Sequence, residues 1–187
     1  IFSRSLKQTS HQLARIHAIW GISQLARKDK KHAALLIPYL KDGDAEIRAQ
    51  SAKWLGDIRY KEAGNQIIPL LKDTNSRARF FAAEALGRIK HEAAVNPIID
   101  FLRHNNDQDA FLRHAESLAL SRIGKADPIL ALSGDTSRAL RIAAVVTLRR
   151  MAHPGLARFL NDKDEFIVTE TARAINDDLS VKDALPA

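Results

Sequence analysis

The groups in this chain best able to do chemistry are arginines, and they recur. Arg15, Arg48, Arg79, Arg113 and Arg141 follow one another at intervals of 33, 31, 34 and 28 residues, with Val168 in the sixth place 27 residues on. Such a ladder of guanidinium groups could bind anions. It is expected instead to pair with carboxylates in nearby turns, such as Asp42 and Asp73, because a position reused in every unit of an array is a packing position. The seven histidines, at 11, 17, 32, 91, 104, 114 and 153, show no common spacing. His91-Glu92 is the one His-Glu dipeptide, and His114 with Glu116 makes a single further pair, too few ligands for a two-metal centre. Without cysteine there are no disulfides, thiolate metal sites or thiol nucleophiles. No Ser-His-Asp set, phosphate-cradling glycine loop or paired catalytic carboxylates stands at a supporting spacing. The chain is expected to carry no catalytic site, no metal and no cofactor.

What must position these residues is a repeated helix pair. The stretch QIIPLLKDTNSRARFFAAEALGRI, residues 66–89, reads as two short helices around the turn Asp73-Thr74-Asn75-Ser76, and LIPYLKDGDAEIRAQSAKWLGDI, residues 36–58, repeats it. Pro69 argues against a long straight first helix. Four positions before the arginine column stand Asp44, Asn75, Asp109, Ser137 and Asp164, all preferred N-caps, whereas the first repeat offers only His11 beside Ser10. Core columns follow at one residue before the arginine (Ala14, Ile47, Ala78, Leu112, Leu140, Ile167), seven after it (Ile22, Leu55, Leu86, Leu120, Leu148, Ile175) and ten after it (Leu25, Ile58, Ile89, Ile123, Met151, with Asp178 breaking the rule). Ser23, Gly56, Gly87 and Ser121 form a small-residue column; a glycine within a helix costs ~1 kcal/mol relative to alanine, so a neighbouring backbone is expected to come close there. First helices are expected near 31–41, 61–72, 91–104, 126–133 and 153–161, and Asn105–Gln108 lengthens the turn of the fourth pair. One pair cannot bury its own apolar face, so the pairs must stack.

Hydrophobic content of 45% with 27% charged residues is ordinary for a globular chain. No apolar run approaches the ~20 residues needed to span a bilayer. The net charge of +7 is confined: residues 1–41 hold eight basic groups and one acid, and the other 21 basic and 21 acidic residues balance. A solvated first repeat explains this excess better than a phosphate-tracking surface, which would be basic along its length.

The segments IRAQSAKWLGDI, ARFFAAEALGRI, LRHAESLALSRI and LRIAAVVTLRRM resemble the short HEAT-like repeats of phycobilisome lyases over about residues 10–178. The resemblance implies an all-α, right-handed α-solenoid of about six HEAT-like helix pairs. Residues 1–9 would then be a linker or the end of a preceding element, 10–178 the solenoid, and 179–187 a cap or a truncated next repeat. ARIHAIWGISQLA and DAFLRHAESLALSRIG also resemble repeat segments of large secreted bacterial proteins that join a dehydrogenase-like propeller to a c-type cytochrome. That likeness implies a fragment of a larger bacterial protein, extracytoplasmic in location, although no Cys-x-x-Cys-His haem motif is present here. HEAT-like deoxyhypusine hydroxylases place His-Glu pairs on second helices, where this chain has Arg79-Phe80-Phe81.

On the second helices, positions two, five and nine after the arginine column lie opposite the core columns. The resemblance makes this the concave face. It carries Trp20, Lys53, Phe81, Arg88, Arg122 and Arg150, an apolar floor with an arginine edge. Leu118 and Val146 are expected to be covered by adjacent helices, with Trp20 and Phe81 the exposed anchors. The expected function is a non-catalytic protein–protein interaction or scaffold module, monomeric as a fragment. Its partner would be a protein or peptide, including neighbouring domains of the same parent chain. The alternative is a HEAT-like DNA-binding enzyme of the alkylpurine glycosylase kind, for which Trp20, Trp54 and Asp57 are available.

Overall fold

The computed structural model describes residues 2–177 and 179–184. Among them the chain is helical, without strands, and runs through six helix pairs in chain order. The first pair is α1 (Phe2–Leu6) with α2 (Gln12–Lys28). A 3₁₀ segment, Lys30–Lys41, precedes α3 (Ala45–Asp57). The third first-helix is a composite of Lys61–Ala63, α4 (Gly64–Ile67) and Ile68–Lys72, followed by α5 (Ser76–Ile89). Glu92–Ala94 and α6 (Val95–Asn105) lead to α7 (Ala110–Ile123), and α8 (Ala126–Leu130) with Ala131–Gly134 to α9 (Arg138–Arg150). Pro154–Asn161 then precedes α10 (Glu165–Asn176), and a kinked 3₁₀ stretch, Leu179–Ala184, follows. Asp178 and residues 185–187 lie outside the described residues.

The first elements differ from ordinary α-helices for a shared reason. Each of the last five carries one proline (Pro38, Pro69, Pro97, Pro128 or Pro154), which donates no backbone N–H and clashes with the carbonyl four residues earlier. All but the fourth are short turns or largely 3₁₀; there Pro97 sits in the first turn of α6, where its missing N–H costs nothing. Residues 2–6, expected as a linker or the end of a preceding element, form α1, which packs on α2 with Leu6 buried and the Phe2 ring over Gly21.

The second helices start as their caps require. Asp44, Asn75, Asp109, Ser137 and Asp164 each accept a hydrogen bond from a first-turn amide, the shortest being Glu46 N to Asp44 at 2.8 Å, while His11 makes no side-chain cap. They end on a rule absent from the core pattern. Eleven residues after the arginine column stand Arg59, Lys90, Gly124 and Ala152, all left-handed, with φ of 51°, 57°, 81° and 50°. Behind three of them an amide returns to a carbonyl five residues back (Tyr60 to Leu55, His91 to Leu86, His153 to Leu148), which reverses the chain into the next first element. Only one of the four is glycine, so composition hid the motif. This turn also explains Leu25. Ile58, Ile89 and Ile123 sit at the helix end and fold into the core, whereas α2 runs on to Lys28 and leaves Leu25 40% exposed, contrary to the expected core column.

The expected close approach of backbones occurs at two glycines. A Cβ on Gly56 would lie 2.5 Å from Ala85 Cα, and one on Gly87 would lie 2.6 Å from Ala119 Cα. Here α3 packs on α5 and α5 on α7 more closely than any other helices in the array. In the small-residue column α9 carries Arg149, and α9 and α10 pack less closely. In exposed helices Gly→Ala is stabilising by about 1 kcal/mol; at Gly56 the sign should reverse. Gly56→Ala is expected to lower stability by about 1 kcal/mol, since an overpacking cost of about 1–3 kcal/mol is offset in part by the propensity gain of about 1 kcal/mol. Urea unfolding measures it, and a stabilised variant would show that α3 and α5 can separate freely.

Candidate partner-binding face

The arginine column faces the turns. Arg48 donates from Nε and Nη2 to Asp73 in the next repeat, at 2.6 and 2.8 Å, and from Nη1 to the carbonyls of Asp42 and Gly43 in its own turn. Arg15 pairs with Asp42, and Arg141 with Asp162 at 2.7 Å, Arg141 again holding its own turn through the carbonyls of Asp135 and Thr136. These three arginines therefore clasp consecutive repeats, as expected for a packing position. The fourth turn breaks the series. Because of the insertion, Asp107 pairs with Arg113 of its own repeat, Asp135 is taken by Arg103, and Arg79 reaches only the carbonyls of Asp73 and Thr74. The side chain of Arg79 is left with a buried Nε that has no partner.

The six candidate residues are in different states. Trp20 is 40% exposed, with its indole N–H donating to Gln50 Oε1 at 3.1 Å and His17 against its ring edge. Phe81 is half-buried: Phe80 meets it edge-on and the Arg77 guanidinium lies 4.9 Å from its ring centre. Leu118 is half-buried, and Val146, expected to be covered, is exposed because the helices after α7 pack less closely. Lys53 bonds to Asp57 at 2.9 Å and sits 4.0 Å from the centre of the Trp54 ring. Asp57 also receives Arg88, which reaches Glu84, which in turn receives Arg122 at 3.3 Å. The chain Lys53–Asp57–Arg88–Glu84–Arg122 thus crosses α3, α5 and α7 with three positive and two negative groups. Arg150 is exposed and enters no ion pair among the described residues. Arg88 and Arg122 are thus partly neutralised by Asp57 and Glu84, which spacing alone could not reveal.

The remaining candidates separate. His114 is exposed and Glu116 is buried, so they do not form a pair, and among the described residues no three His, Asp or Glu side chains gather into a metal-binding group. Trp54 is half-buried with Lys53 and Arg27 near its ring. No helix of the described residues is long and apolar enough to cross a membrane.

Residues 33–121 match the family of HEAT repeats. The array is similar in fold to an archaeal HEAT-like repeats protein from Thermococcus onnurineus NA1 (16% identity over 85% of this chain and 75% of that one, TM-score 0.59). It is similar also to a chain of the complex of CpcE and CpcF of phycocyanin lyase from Nostoc sp. PCC7120 (21% identity, 93% and 74% covered, TM-score 0.64). A designed armadillo repeat protein in complex with the peptide (KR)4 aligns over 96% of this chain and 98% of that one (14% identity, TM-score 0.54). No curated protein matches the chain. HEAT and armadillo solenoids are folds typical of protein-binding scaffolds, and a repeat solenoid of this kind is typically non-enzymatic.

Proposed function

We propose that this HEAT-like array is a non-catalytic interaction module that holds a protein or peptide partner on the face carrying Trp20, Lys53, Phe81, Arg88, Arg122 and Arg150. The partner can be a neighbouring domain of the same parent polypeptide. The observation that supports the reading is an exposed indole, Trp20, together with the guanidinium groups of Arg88 and Arg122 joined across consecutive second helices through Glu84. Tryptophan and arginine are the side chains most enriched among residues that dominate binding energy. The ion-pair chain holds Arg88 and Arg122 in place before a partner arrives, which reduces the ordering cost of binding.

The test is a displayed random-peptide library panned against the immobilised protein. Selected peptides are expected to lose at least tenfold in affinity for the variant Trp20→Ala with Arg88→Ala and Arg122→Ala. The fold should survive, since partly exposed ion pairs contribute about 0–1 kcal/mol each. Unchanged affinity, or a library without a saturable binder, counts against the face. A duplex oligonucleotide run beside the peptides at low salt separates the classes: tight binding that falls steeply with salt would favour the nucleic-acid reading instead.

A further inference from the structure

Beside this face, the C-terminal ends of α3, α5 and α7 enclose an open cleft of about 810 Å³. Five cations line it: Arg59, Lys61, Arg88, Lys90 and Arg122. Two acids, Asp57 and Glu92, line it as well. Cations at helix C-termini are ordinarily explained by the helix dipole, so the magnitudes matter. Three helix ends contribute roughly −1.5 charges together, and the two acids bring −2, which leaves an excess of roughly +1.5. Glu92 is moreover engaged from outside by Lys125 at 3.0 Å. The excess is carried by Arg59, Lys61 and Lys90, which are exposed and make no ion pair among the described residues. Arg59 and Lys90 are held at equivalent places of successive repeats by the left-handed helix caps, and Arg88 and Arg122 are equivalent in the same sense.

The geometry points to an acidic protein segment as the occupant of this cleft, bound in a polyproline II conformation with a carboxylate at every third residue. This inference deepens the proposed function and rests on it. Packed helices lie about 8–10 Å apart. A polyproline II strand brings every third side chain back to one face after about 9 Å. One carboxylate therefore meets one repeat: the first falls by Arg59 and Lys61, the next by Arg88 and Lys90, the third by Arg122. The interleaved Asp57 and Glu84 disfavour a nucleic-acid strand, whose charges are uniform and more closely spaced.

The probe is the fluorescently labelled peptide Glu-Pro-Pro-Glu-Pro-Pro-Glu, titrated with the intact protein at low salt. A peptide of the same composition with its three glutamates adjacent serves as the register control, and a single-stranded oligonucleotide as the competitor. Saturable binding is expected, at least fivefold tighter for the spaced peptide. A loss of at least tenfold is expected in Arg59→Ala with Lys61→Ala and Lys90→Ala. The backbone tolerates these changes, since Ala152 already holds the same conformation. Equal affinity for both peptides, no effect of the triple variant, or preferential displacement by the oligonucleotide would overturn the inference. Library peptides that depend on Trp20, Arg88 and Arg122 but ignore the triple variant would leave the interaction module standing and remove the cleft from it.

Discussion

Between pH 5 and pH 8 the unaltered chain is expected to lose stability on the order of 4 kcal/mol, and Glu116→Gln is expected to abolish most of that loss. Glu116 lies three residues after the arginine column, in a place held elsewhere by Ala18, Ser51, Ala82, Ala144 and Thr171. Its side chain is only 1% exposed, and its Oε2 has no hydrogen-bond partner. Burial pushes the carboxyl up to about 8; the Arg79 guanidinium works against this rise, and Asp109 adds to it. Native protein thus keeps a proton that the unfolded chain releases above its ordinary value near 4.5, so stability falls as pH rises from there to about 8 and is level beyond. The gap between 4.5 and about 8 converts to roughly 5 kcal/mol over the full window. Glutamine keeps the shape and cannot ionise. Urea midpoints at the two pH values measure the effect, and the histidines, common to both proteins, cancel in the comparison. Identical slopes for the two proteins would mean that the carboxylate is paired or hydrated in the native state.

Asp73→Asn should remove about 3 kcal/mol at pH 7, the low end of the cost of leaving one partner of a buried ion pair unmatched. Asp73 and Arg48 are 7% and 16% exposed, so water can do little to compensate the abandoned guanidinium. The control lies in the same ladder. Arg113 and Asp107 are both more than a third exposed by their side chains or close to it, and Asp107→Asn should change stability by less than 1 kcal/mol. Equal losses at the two positions would show that the clasp does not depend on burial. The hydrogen bonds from Arg48, and the backbone N–H of Asn75, hold the Asp73 carboxyl below its usual range despite its partial burial. A depressed value stabilises the fold above the unfolded pKa and is lost as pH falls below about 4. The two carboxylates therefore work from opposite sides. Acid releases the Asp73 clasp and alkali charges Glu116, which places the stability maximum near pH 4–5, below the range common among proteins. Glu116→Gln should move it toward neutrality.

Periodicity was legible in the residues because it is a property of the chain alone. Cap residues sit where first-turn amides need acceptors, core residues return on one helix face, and a glycine recurring inside a helix demands a close neighbour. From these follow the paired helices, their order, the tight contacts at Gly56 and Gly87, and the role of Arg15, Arg48 and Arg141 as clasps. The left-handed caps were hidden because Arg59, Lys90 and Ala152 carry side chains that do not ordinarily mark such turns; hydrogen bonds back into the helix hold them there.

The candidate surface was legible only in part. From residue type and helical phase, Trp20, Lys53, Phe81, Arg88, Arg122 and Arg150 are expected to share one side. Whether each is available depends on its neighbours, near and far: Asp57, 31 residues away, engages Arg88 and Glu84, 38 residues away, engages Arg122, while Arg77 and Phe80 of the same helix flank Phe81. The same dependence on distant neighbours left Val146 uncovered and Glu116 without a partner. Local pattern determines which face a side chain takes. Burial and charge pairing are settled between repeats, where a four-residue insertion or one arginine in a small-residue column changes the distance between helices and with it the surface that remains.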